Sequence, residues 1–204
     1  MKYEWRKQEK NLYGVKQTPI IVEVPKQKFI VVKGKGNPNE VDFSDRISAL
    51  YSLAYAIKIL FKDVMKNKTD NDITDYAVYP LEGLWEKVNG AELDKNKLEY
   101  TLMIKQPDFI TQEIFTKALE NVKKKKSNAL YDEISFIEIE EGKSIQILHV
   151  GSYDDEPKSF EKMNEFARKL YLTRIGDFHK EIYLSNKNRT SEEKQKTILR
   201  YSVK

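Results

Sequence analysis

The chain has 204 residues, which suits one compact domain or two small fused halves sharing a core. A hydrophobic fraction of 40%, with 12 Tyr, 9 Phe and 2 Trp, supplies a real core and excludes a disordered chain, while 36 basic against 32 acidic residues leave a net charge of +4, too balanced to argue for nucleic acid. There is no cysteine, which excludes disulfides, thiolate metal sites and a cysteine nucleophile.

The start, MKYEWRKQEK, is charged and lacks the apolar core of a signal peptide. The longest apolar segment, ALYSLAYAIKILF, is interrupted by Lys58 and is too short to span a bilayer. The expectation is a soluble, cytoplasmic protein with no membrane or nucleic-acid partner. Residues 1–26 read as an irregular arm anchored by Tyr3, Trp5 and Tyr13 and punctuated by Pro19 and Pro25. KFIVVKG, Lys28 to Gly34, is a short apolar run ending in glycine and predicts a strand. NPNEVDF is a turn, with Ser44 as helix N-cap. From Ser44 to about Met65 the apolar residues Ile47, Leu50, Tyr51, Ala54, Ile57, Phe61 and Val64 fall at helical spacing.

KNKTDNDITD is polar and loop-like. Tyr76 to Val88 and Lys97 to Lys105 then read as two strands around a turn at NGAELDKN; in the second, Leu98, Tyr100, Leu102 and Ile104 alternate with polar residues. A helix over 109–126 carries its lysines at the C-terminal end, where they complement the helix dipole. Strands follow at Ile134 to Ile139 and Ser144 to Val150. The loop GSYDDEPKS leads to a helix with Phe160, Met163, Ala167, Leu170 and Tyr171 on one face, and the strands Phe178 to Leu184 and Lys196 to Val203 close the chain.

The order repeats. Residues 27–106 and 133–204 each read as strand, helix, strand, strand, with the 109–126 helix as the link, within a single 1–204 domain. At a constant offset of 99, Glu82 falls on Glu181, and Leu98, Tyr100, Leu102 and Ile104 fall on Thr197, Leu199, Tyr201 and Val203. The fold class expected is α+β: a tandem pseudo-twofold repeat whose antiparallel sheets form a groove, with the helices on the other face. A groove between repeats is a favoured ligand site, and the repeat places Glu82 and Glu181 symmetrically toward it.

Glu181 lies in the apolar strand FHKEIYL, on one face with His179 and Tyr183. A carboxylate walled by aromatic rings loses hydration, so its pKa should rise and it can serve as a general base or orient a water. An aromatic cage around an acid also suits a cationic or electron-poor aromatic ligand. The structural alternative is a wet carboxylate at a sheet edge, paired with Lys or Arg. Glu82 lies between Pro80 and Gly83, a pattern that marks an edge or a bulge. Without a bulge Glu82 and Trp85 face opposite sides; with one they share the groove. Trp85 is either a stacking wall or an ordinary core aromatic.

Other features carry less. GKGNPN lacks the spacing of a phosphate loop. His149 and His179 are not at metal-ligand spacing, and no metal or cofactor is expected. Ser185 lacks the flanking glycines of a nucleophile elbow. YDDEP starts a helix, with acids suited to its first turn and Pro157 at its start, and Tyr153 borders the groove.

VYPLEGLW, MIKQPDF, HVGSYDDEP, HKEIYLSN and KTILRYSV, in this order, resemble the GyrI-like small-molecule-binding family, from about Lys2 to the C-terminus. The resemblance implies a tandem pair of strand–helix–strand–strand units with a central ligand cleft, related to effector-binding domains of multidrug-responsive transcription regulators. No DNA-binding region precedes the domain, so a stand-alone member is implied. Some such members are hydrolases that open the cyclopropane ring of DNA-alkylating natural products. The resemblance maps the family's central acid onto Glu181, and the acid and tryptophan of its LEGLW motif onto Glu82 and Trp85. Cleft positions map onto Tyr153 and Tyr183 and, more loosely, Tyr51, Tyr79, Met103 and Phe109. SNKNR replaces the family's SDPRR, and Glu86 stands where a second aromatic is usual.

Three readings follow from the resemblance and the residues together. One is a cofactor-independent cyclopropanoid hydrolase acting in detoxification. Another is a non-catalytic binder or sensor of aromatic or cationic compounds. The third is a protein that contacts DNA gyrase, as the family name implies.

Overall fold

A computed structural model describes residues 1–66, 72–86 and 98–204. The turn expected at NGAELDKN lies outside the described residues, as do Val88 and Lys97 at the ends of the two strands around it and the middle of KNKTDNDITD. The elements are β1 (Lys2–Tyr3), α1 (Trp5–Gln8), α2 (Lys10–Tyr13), β2 (Ile20–Val24), β3 (Gln27–Lys35), α3 (Val41–Val64), β4 (Asp75–Tyr76), β5 (Leu81–Glu86) and β6 (Glu99–Gln106). They continue as α4 (Gln112–Lys125), α5 (Leu130–Glu133), β7 (Ser135–Ile139), β8 (Gly142–Val150), α6 (Glu156–Lys169), β9 (Phe178–Tyr183) and β10 (Lys196–Ser202).

Eight strands form one sheet in the order β2-β8-β10-β9-β5-β6-β3-β7. The fold class is the one expected. β3–α3–β5–β6 fills one half of the sheet and β8–α6–β9–β10 the other, and the halves meet where β5 runs antiparallel to β9. β2 and β7 lie at opposite edges, yet only Pro25 and Lys26 join β2 to β3, and only Glu140 and Glu141 join β7 to β8. Three virtual bonds reach at most about 11 Å, so the two edges must approach each other and the sheet curls into a half-barrel.

The concave side of that curl holds charge. Lys180 of β9 pairs with Glu82 of β5 at 3.2 Å and with Glu141 of the β7–β8 link, and Arg200 of β10 lies 3.6 Å from Glu141. Two cations against two carboxylates balance, as burial requires. The N-terminal arm closes over them: Gln146 donates to the Asn11 carbonyl at 3.2 Å, and Trp5, Leu12 and Tyr13 join the main core. The arm is thus more ordered than its sequence suggests, with two short helices, the strand β2, and β1 running parallel to β4. Trp5 drives this, because its indole N–H donates to the Val78 carbonyl at 3.0 Å while its ring stacks on Tyr79.

The helices cover the convex side. α3 buries Ala49, Leu50, Leu53, Ala54, Ile57 and Phe61, the spacing of a single stripe. It begins at Val41, earlier than expected, and Ser44 donates back to the Val41 carbonyl instead of capping. α4 packs on α3 and is capped by Thr111, whose hydroxyl accepts from the Ile114 N–H. α6 sets Met163 and Ala167 against Ile145, Ile147 and Leu199. It ends at Lys169, so Leu170 and Tyr171 leave the buried face expected for them; Tyr171 is 95% exposed with a left-handed φ of 56°.

β5 corrects one expectation and decides between two alternatives. The first strand of the 76–88 pair is broken at Pro80 into β4 and β5. β5 also carries no bulge: Leu81 through Trp85 pair in unbroken register with β6, and Glu82 through Glu86 with β9.

Candidate functional site

Register decides which side chains meet. Across β5 and β9, Gly83 faces Glu181 and Trp85 faces His179. Directly opposed residues of an antiparallel pair share a face, so Gly83, Trp85, His179, Glu181 and Tyr183 all lie on one side. Leu199 of β10 is opposite Glu181 and packs beneath α6, so this is the helix-bearing side. The Glu181 cluster therefore lies between α3 and α6 on the helix-bearing side, which corrects the expectation of a groove on the face away from the helices. The concave face opposite is filled by the arm.

β9 is a central strand, and Glu181 is only 8% exposed, which disposes of the wet-edge alternative. Its carboxylate is held at both oxygens. His179 Nε2 donates to Oε1 at 2.9 Å, and the Tyr183 hydroxyl donates to Oε2 at 2.7 Å. The Tyr183 oxygen in turn accepts from Trp85 Nε1 at 2.9 Å. Burial and the Glu181 charge drive the Tyr183 phenol well above its ordinary pKa, so it stays a donor. Gly83 makes the relay possible, because a Cβ there would sit 2.6 Å from Trp85 Nε1 and 3.0 Å from the Tyr183 hydroxyl.

A second carboxyl completes the site, and it is absent from the set expected from sequence. Glu156, in the first turn of α6, is buried, and its side chain is in hydrogen-bonding contact with Glu181. Burial first, then the neighbouring carboxylate, pushes the Glu156 pKa up to about 9. The raised pKa favours the protonated form of Glu156 beside Glu181, and its Oε1 is buried with no other partner among the described residues. Its signal in the sequence is weak, since an acid in DDEP reads first as helix-start chemistry.

Aromatic walls flank the pair. Tyr153 stands edge-on to Tyr183 with centroids 6.2 Å apart, and its phenol is pushed up to about 12 by burial and then by the two glutamates. Phe160 of α6 meets the His179 ring at 4.8 Å, and Phe43 of α3 stacks on Trp85 at 6.0 Å. Tyr51 accepts from the Leu81 N–H at 3.2 Å, over the start of β5.

Four expected positions lie elsewhere. Glu82 is on the concave face with Lys180. Tyr79 is there too, donating to Glu9 of the arm. Met103 packs with Phe29 and Val31. Phe109 stacks on Phe61 at 4.7 Å, in the core under the far end of α3. His149 latches β8 to α6: its Nε2 donates to the Ser152 carbonyl at 2.9 Å, so its Nδ1 accepts from the Ser159 hydroxyl. Among the described residues no cluster of His, Asp and Glu could hold a metal, and no helix is long and apolar enough to cross a membrane.

A curled antiparallel sheet with an acid-floored, ring-walled cleft between two repeated units is the architecture of a small-molecule-binding domain. The family model for the GyrI-like small molecule binding domain matches residues 17–202, and the chain belongs to that family. It is similar to a hydrolase encoded by lin2189 from Listeria innocua, with 32% identity, full coverage of both chains and a TM-score of 0.89. It is equally similar in identity, at 32%, to an uncharacterized conserved protein from Listeria innocua, covering 99% of this chain and 100% of that one with a TM-score of 0.87. The EcmrR C-terminal domain shares the fold alone, at 12% identity, 92% and 97% coverage and a TM-score of 0.54. No curated protein matches the chain.

Proposed function

We propose that the cleft binds planar aromatic molecules and hydrolyses those that carry a strained electrophilic ring, cyclopropanoids foremost. The observation that carries this reading is the Glu181 carboxylate, fixed by His179 and Tyr183 and proton-linked to Glu156, between aromatic walls. The substrate's flat body stacks on Trp85 and Tyr153. Glu181 takes a proton from a bound water as the water oxygen bonds to the ring carbon. The ring C–C bond breaks, its electron pair passes into the conjugated carbonyl of the substrate, and that oxygen is protonated from solvent. Release of ring strain supplies the driving force. The similar Listeria protein described as a hydrolase supports the reaction class.

The test is to incubate purified protein with a cyclopropanoid and follow the water adduct by mass spectrometry. Glu181→Gln should lower turnover by about 10²- to 10⁴-fold, the usual scale for a general base. Turnover at the wild-type rate would remove Glu181 from the chemistry.

A second reading, capture of aromatic cations without turnover, is favoured by one observation: the Glu156–Glu181 pair keeps a negative charge beside π-faces. A cationic dye would then bind unchanged, and Glu181→Gln would weaken cations far more than neutral ligands of the same shape.

A further inference from the structure

β9 alternates, so the residue after Tyr183 points away from the cleft. Leu184 and Ser185 instead border a cavity of about 490 Å³ under the N-terminal arm, a volume suited to a small drug-sized molecule. Its apolar wall is Trp5, Tyr13 and Leu184; its rim is Arg6, Lys194 and Lys196. No acidic side chain lines it. Among the described residues Arg6, Lys194 and Lys196 form no ion pair with a carboxylate, although most basic side chains of the concave face do. Glu193, next to Lys194, is engaged by the Ser191 hydroxyl at 2.6 Å.

The wall is built and held. Trp5 is 5% exposed and anchored through its indole N–H to Val78, and the Arg6 guanidinium lies 4.8 Å over its ring. Gly14 keeps the arm's turn tight, since a Cβ there would fall 2.6 Å from the Lys10 carbonyl oxygen. Ser185 Oγ accepts from the Lys196 N–H at 3.0 Å, which fixes the rim lysine's backbone and leaves the hydroxyl proton for a ligand. Three unneutralised cations around two buried rings have one chemical complement.

We propose that this cavity is a second ligand site, for a planar aromatic anion whose ring enters the space bordered by Tyr13, Leu184 and the edge of the Arg6-covered Trp5, and whose carboxylate, sulfonate or phosphate is held by Arg6, Lys194 and Lys196. The guanidinium that already covers Trp5 presents a flat donor edge matched to such oxyanions. The site is opposite in charge preference to the Glu181 cleft and on the other face of β9. It does not depend on the function proposed for that cleft.

The test uses naphthalene-2-carboxylate, with 2-naphthylmethylammonium as its cationic counterpart, titrated calorimetrically into the full chain. The carboxylate should bind with one-to-one stoichiometry, weaken on raising salt, and lose about tenfold or more in affinity in the Lys194→Ala/Lys196→Ala variant, the scale of a lost charge-assisted contact. Both lysines are at the surface, so the variant folds, and its response to cleft ligands should match wild type. No binding of the carboxylate, quenching of Trp5 by the ammonium compound equal to that by the carboxylate in a Trp85→Phe variant, or carboxylate affinity unchanged in the double variant would each overturn the proposal. In a Trp85→Phe variant, where Trp5 is the remaining tryptophan, quenching by the carboxylate reports contact at the arm; unquenched Trp5 fluorescence under saturating ligand would also overturn it.

Discussion

Gly83 and Glu181 oppose each other across the β5–β9 ladder, at the join of the two repeats. The space that a side chain at 83 would occupy is where the Trp85 indole reaches the Tyr183 hydroxyl above the Glu181 carboxylate. The site thus rests on an absent side chain as much as on the acid.

Gly83→Ala should therefore separate Trp85 from Tyr183. The cost of inserting one methyl into a packed site is about 1–3 kcal/mol, so the variant should fold with a lowered urea midpoint. Its ligand affinity in the cleft should drop, and the Trp85 emission should shift as the indole loses its acceptor. Unaltered affinity and emission would show that the Trp85–Tyr183 contact does not organise the cleft.

The Glu156 proton gives a pH signature. Its folded pKa is raised above that of the unfolded chain, so the contribution is fully present below about pH 4.5 and is lost as pH rises through about 9. Stability should fall with rising pH across that window, because the folded state holds a proton that the unfolded chain has released. Glu156→Gln, which keeps the donor and cannot ionise, should flatten the slope and raise the thermal midpoint at pH 8 relative to wild type. Unfolding curves from pH 5 to 9 for both proteins check this, and parallel curves would contradict it.

Glu82 and Glu181 should separate cleanly by assay. Glu82→Leu leaves Lys180 and Arg200 with one carboxylate between them on the concave face. Removing one partner from a buried pair costs about 3–5 kcal/mol, so stability should fall sharply while cleft ligands bind the folded fraction normally. Selective loss of cleft affinity in Glu82→Leu, with stability intact, would place Glu82 in the site after all.

Much was legible in the chain itself. The stripe of α3, the alternation of β6 and β10 and the duplicated order of elements are local patterns, written at periods of 3.6 and 2, and need no tertiary information. The same alternation correctly placed His179, Glu181 and Tyr183 on one face. What slipped was register. The offset of 99 matches β6 to β10 in facing, Tyr100 and Leu199 both lying beneath helices. For β5 and β9, where Gly83 opposes Glu181, residues on a common face differ by even offsets, so 99 carries Glu82 to the wrong side. A one-residue slip reverses every side chain of a strand, and no single-strand pattern reveals it.

Glu156 was beyond reach for a different reason. Its neighbours in sequence describe a helix start, and only the docking of α6 across the sheet brings it to Glu181, 25 residues along the chain. Composition and periodicity determined the main helices and strands of the two halves, the repeat and the acid on β9, but not the ordered elements of the N-terminal arm. The pairing of β5 with β9, the register that turned Glu82 inward against Lys180, and the packing that buried Glu156 beside Glu181 were decided by long-range contacts, because strand register and burial are properties of the assembled sheet.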